Sequence, residues 1–67
     1  MIEISLNGKP ERLAEGITIA ELMRQKLPDV YRVALELNLE IVPRSQHEKC
    51  VLKTGDRVEI VRAIGGG

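Results

Sequence analysis

Aromatic residues are almost missing from this chain. It has no Trp, no Phe and one Tyr, Tyr31. Without aromatic platforms, recognition of nucleic-acid bases by stacking is nearly excluded. Net charge is also lacking, because ten Lys and Arg cancel ten Asp and Glu. The basic excess of a nucleic-acid binder is therefore not there. A single cysteine, Cys50, rules out an internal disulfide and gives no metal-ligand spacing; the compartment it implies is the reducing cytosol. No apolar run approaches the ~20 residues of a membrane span. Met1-Ile2-Glu3-Ile4 lacks the basic-then-apolar order of a signal peptide. Length is short as well. Sixty-seven residues make one small domain with a thin core. Such a core leaves little room for a ligand pocket of about 300–1,000 Å³, which argues against an autonomous enzyme.

What remains is 43% hydrophobic and 30% charged, the balance of a globular protein. Ile2, Ile4 and Leu6 alternate with Glu3 and Ser5, as in a strand with one apolar face. Asn7-Gly8 follows, the strongest short hairpin signal, since both central residues of a type I′ turn need positive φ. The returning strand runs from Lys9 to Leu13, and Pro10 places it at an edge. After a loop at Ala14-Glu15-Gly16, Thr18 and Glu21 form a capping box. Ile19, Leu22, Met23 and Leu27 then share one helical face, so a helix is predicted over Ile19–Lys26, stopped by Pro28. Val33, Leu35 and Leu37 give a third strand, Asn38-Leu39 a turn, and Ile41-Val42 a short fourth strand ended by Pro43. Arg44–Lys49 is polar and irregular, with room for a helical turn. Leu52 is an apolar anchor before the turn Lys53-Thr54-Gly55-Asp56. Arg57–Ile64 is the last strand, with Val58 and Ile60 facing inward. One helix must then cover one face of a mixed sheet of four to five strands. This α+β order suggests the ubiquitin-like β-grasp, with the last strand central beside the first.

Three of the six glycines are the last three residues, Gly65-Gly66-Gly67. Glycines there add no packing and lose the most entropy on ordering. They do make a slim arm that ends in the α-carboxylate of Gly67. A frayed terminus is the plain alternative. A carboxylate is a poor electrophile until ATP converts it to an acyl-adenylate. No phosphate-binding loop and no nucleophile–base pair is evident in this chain, so that activation falls to another protein. The organisation expected is a single domain over 1–64 and a flexible glycine tail over 65–67.

The sequence resembles the ThiS sulfur-carrier proteins of thiamine biosynthesis. The resemblance rests on Asn7-Gly8, Thr18 and Leu22, Asn38 with Glu40-Ile41-Val42-Pro43-Arg44-Ser45, Leu52, Gly55-Asp56, Val58-Glu59-Ile60-Val61 and Ile64-Gly65-Gly66-Gly67. A Gly-Gly end alone is shared with the small subunit of molybdopterin synthase and with ubiquitin-like modifiers. The resemblance implies a non-enzymatic carrier. A ThiF-like adenylyltransferase would use ATP and magnesium to adenylate Gly67. Sulfur derived from cysteine by a desulfurase would replace AMP, leaving a thiocarboxylate. Thiazole synthase (ThiG) would take that sulfur for the thiazole ring. Gly65 and Gly66 would thread the arm, and the carrier itself would be a cytoplasmic monomer with no bound cofactor. A carrier for molybdopterin or another sulfur pathway, a protein modifier and a plain interaction module are the alternatives.

Partner docking falls to the sheet face that the helix leaves open. Val61 and Ala63 are out of phase with Val58 and Ile60 and belong there, joined by Ile64 at the base of the tail. Against this, Val61 can be strand-forming filler and Ile64 core. Arg62 can pair with acidic partner residues, while Arg57 reads as solvated charge. Cys50 reads as an inert thiol, Met23 as core filler and His47 as a solvent-exposed loop residue. Tyr31 either packs over the helix end or touches a partner.

Overall fold

The structure, a computed structural model, describes residues 1–26 and 33–62, with Arg62 described by its backbone alone. Its elements are β1 (Ile2–Leu6), β2 (Lys9–Leu13), α1 (Ile19–Lys26), β3 (Val33–Leu37), β4 (Glu40–Ile41), a 3-10 turn (Arg44–Gln46) and β5 (Arg57–Arg62). The sheet order is β2-β1-β5-β3-β4. β1 runs parallel to β5 at the centre of the sheet, and the other neighbours are antiparallel. This is the β-grasp anticipated from the element order.

Local chemistry explains the turns. Asn7 and Gly8 both have positive φ, 49° and 83°, as a type I′ hairpin requires. Pro10 lies on β2, an outer strand, where its missing N–H costs no central ladder bond. Asn38 and Leu39 turn β3 into β4 with φ of 52° and 72°. Asn tolerates that region, whereas Leu is strained in it. The short fourth strand is Glu40–Ile41 rather than Ile41-Val42. Val42 still donates its N–H to the Leu35 carbonyl, 2.9 Å away, before Pro43 ends the pairing.

The start of α1 has a complete hydrogen-bond account. A helix leaves its first four N–H groups without helical partners. Thr18 N donates to Glu21 Oε1 at 3.0 Å, and Glu21 N to Thr18 Oγ1 at 3.2 Å. That is the reciprocal capping box. Ile19 N and Ala20 N donate to the carbonyls of Cys50 and His47, both at 3.0 Å. Ile17 and Leu22 hold the two positions of a hydrophobic staple around this cap, and both lie in the core.

Ile19, Leu22, Leu35, Leu52 and Val58 are the most deeply buried side chains. Ile2, Ile4, Leu13 and Ile17 complete the cluster. Leu6, Met23, Leu37, Val42, Cys50 and Ile60 pack against it, partly buried. The alternation in β1, β3 and β5 is thus as expected, and Met23 has its predicted core role. Ile17 belongs to no periodic run and was not anticipated. Leu27, Pro28 and Tyr31 lie outside the described residues.

His47 is the correction. It was expected in solvent and is instead buried, at 8% exposure. The 3-10 turn over Arg44–Gln46 swings its ring inward. Nε2 lies 3.0 Å from the Val42 carbonyl; since a carbonyl only accepts, Nε2 carries the proton. The His47 carbonyl meanwhile accepts from Ala20 N. His47 therefore ties the loop before Leu52 to Val42, just after β4, and to α1.

Candidate functional site

β5 carries Val61 and ends at Arg62, just before the C-terminal residues that the sequence singles out. It is held on both sides. Toward β3, Leu37, Leu35 and Val33 pair with Val58, Ile60 and Arg62. Toward β1, Ser5 N donates to Asp56 O and Asn7 N to Val58 O, each at 2.9 Å. Two asparagine side chains then fasten the strand. Asn38 Oδ1 accepts from Arg57 N at 2.9 Å, and its Nδ2 donates to Asp56 Oδ1 at 3.2 Å. Asn7 Oδ1 accepts from Ile60 N at 2.8 Å. Sequence reading caught both asparagines as turn formers but missed this second use. Polar side chains at tight turns often bond nearby backbone, which is the signal that could have found them.

Beyond this fastening the chain continues as Ala63-Ile64-Gly65-Gly66-Gly67. Ala63, Ile64 and Gly65–Gly67 lie outside the described residues, as does the side chain of Arg62. Of the predicted docking residues, only Val61 can be placed. It is 53% exposed, on the face opposite to buried Val58. Its cross-strand partner Ala34 is exposed as well. One step along the same face, Glu59 sits opposite Glu36, and Glu36 sits opposite Ile41. Ile41 is 68% exposed. The open face near the end of β5 is therefore apolar at Val61, Ala34 and Ile41, with two facing carboxylates among them. Like charges directly opposite each other destabilise a sheet.

Two surface grooves among the described residues, of about 480 and 490 Å³, are lined by residues around Ile2 and Thr54, at the other pole. The β1–β5 register puts the start of β1 far from the end of β5. Cys50 is half-buried against the core, and His47 is occupied structurally. Hydrogen bonds tie them to Val42 and to α1.

A β-grasp whose central strand runs out toward a glycine-rich end defines the ubiquitin-like class of small proteins. Comparison with known proteins narrows the class. Residues 4–67 match the model of the ThiS family. The sulfur carrier protein ThiS of Escherichia coli is 32% identical over 66 residues, covering 98% of this chain and all of that one. The solved structure of a thiamine biosynthesis protein (ThiS) from Geobacter metallireducens superposes with a TM-score of 0.85 at 33% identity, covering 98% of this chain and all of the other. A thiazole synthase of Paramagnetospirillum magneticum is 36% identical over 98% of this chain. One from Magnetococcus marinus is 35% identical over the same share. The chain spans only 20% of the length of each of these two synthases. The chain belongs to the ThiS family.

Proposed function

We propose that the protein is a sulfur carrier of thiamine biosynthesis. The observation that carries this reading is the sequence run Gly65-Gly66-Gly67, two residues after the central strand of a ThiS-family β-grasp. End-to-end likeness to the E. coli carrier supports it. In this reading the carboxylate of Gly67 is the reactive group. An adenylating enzyme of the ThiF type activates that carboxylate with ATP and magnesium, releasing pyrophosphate. A sulfur donor at the sulfide oxidation level adds to the acyl carbon, AMP leaves, and a thiocarboxylate remains. Thiazole synthase then accepts the sulfur. Carrier-like segments within two longer thiazole synthases favour this acceptor over that of a molybdopterin pathway.

The chain's own part is recognition and reach. Gly65 and Gly66 lack Cβ atoms, so the arm passes a slot too narrow for other residues. The open face around Val61, with Ala63, Ile64 and Arg62 at the base of the arm, docks the partners. Deleting Gly67 tests the assignment in a reconstituted thiazole-forming assay. The truncated carrier should keep its thermal midpoint and lose sulfur transfer. Thiazole formation by the truncated carrier would refute the role of Gly67.

A further inference from the structure

β1 and β5 pair only at Ser5–Arg57 and Leu6–Val58, yet β5 continues to Arg62. The hairpin turns away at Asn7-Gly8. Its last act on this edge is to cap Ile60 N–H with Asn7 Oδ1. Backbone groups alternate sides along a strand. Asp56 O, Val58 O and Ile60 N all bond toward β1, so Ile60 C=O and Arg62 N–H face that same side. Among the described residues no strand pairs with them there. Arg62 N–H is on the opposite side from β3, where the bonds of Arg57 with Asn38 lie.

The outer edges of the sheet differ from this one. β2 carries Pro10, which cannot donate, and β4 is two residues long with Pro43 soon after it. Proline and short length both blunt an edge against added strands. The inner edge of β5 has neither device. It also leads straight into the residues before Gly67.

We propose that this edge takes an added strand from the thiazole synthase that receives Gly67, a statement that rests on the carrier function above. The synthase segment is extended, bonds Ile60 C=O and Arg62 N–H, and sets an apolar residue beside Val61. It carries a Lys or Arg toward Glu59 and Glu36, whose facing carboxylates a cation relieves. Strand addition draws affinity from main-chain bonds and specificity from alternate side chains. A contact this short suits a carrier that must leave after each delivery. Where the two proteins share one chain, as their likeness to this chain indicates in Paramagnetospirillum magneticum, effective concentration compensates for a weak contact.

Hydrogen exchange at the Arg62 amide tests the proposal on the unaltered protein. The cognate synthase should slow that amide by about tenfold or more, the range of one to two newly made backbone bonds. Two variants add a functional arm. Arg62→Ala keeps the N–H, and Arg62→Pro removes it without touching a β3 bond. The proline variant should bind the synthase about tenfold more weakly than the alanine variant, for the loss of a single bond to the edge. No slowing in a complex that does form overturns the strand addition and leaves the carrier reading intact. An amide already protected in the free protein, or protected by concentrating the carrier alone, overturns it too, assigning the edge to this chain or to a second copy. Failure of the wild-type protein to bind the synthase overturns both readings.

Discussion

At the residue scale, asparagine carries more of the structure than its usual surface role would suggest. Asn38 turns the chain at positive φ and bonds both Asp56 and the Arg57 backbone. Asn38→Ala loses the two side-chain bonds and keeps the left-handed backbone. It should destabilise by about 2 kcal/mol, read as a lower urea midpoint at unchanged slope. Leu39 is the converse case. It holds φ of 72° while its side chain is 69% exposed, so strain is offset by little burial. Leu39→Gly should stabilise the protein by about 1 kcal/mol; an unchanged or lower midpoint would mean that the leucine side chain contributes packing after all. His47 shows where sequence reasoning stops. A polar residue in a polar loop reads as exposed, and only the 3-10 turn before it brings the ring under the backbone of Val42. No periodicity marks such a residue, because its burial depends on a loop geometry fixed by distant partners.

At the element scale, the strands and helix were legible because their apolar residues keep strict periods. Ile2 and Ile4, Val33 and Leu35, and Val58 and Ile60 each alternate, and Thr18 with Glu21 announced the helix start. Element ends were less legible. β4 slid by one residue because a two-residue strand has no period to read. Loop support for α1 was invisible as well, since Cys50 and His47 act through backbone carbonyls that carry no sequence signature. Helix α1 has only eight residues, too few to be stable without tertiary packing. Its stability must come from Ile19 and Leu22 against the sheet. Leu22→Ala should therefore cost about 2–5 kcal/mol, with the thermal midpoint falling accordingly. A loss below about 1 kcal/mol, less than a lone buried leucine contributes, would show that the helix is not anchored by this face.

At the scale of the whole molecule, the design separates holding from reaching. The core spans one side of the sheet, and the central strand is fastened at its start by Asn38 and at Ile60 by Asn7. The proposed partner contacts gather from Glu59 onward along β5, around and beyond the second of these fastenings. The open face at Val61, Ala34 and Ile41 was half legible, because alternation placed Val61 there but could not show Ala34 and Ile41 beside it. The facing Glu36 and Glu59 depend on register, which one sequence does not specify. The glycine end was fully legible as composition, and the fold around it gives it chemical meaning. The central claim is that Gly67 carries sulfur. Intact-mass measurement after incubation with a ThiF-type enzyme, ATP, magnesium and a sulfur source tests it most directly. The account predicts exchange of one oxygen for sulfur at the C-terminus, absent when ATP is withheld. An unchanged mass with active enzyme, or an adduct on lysine instead, would contradict it.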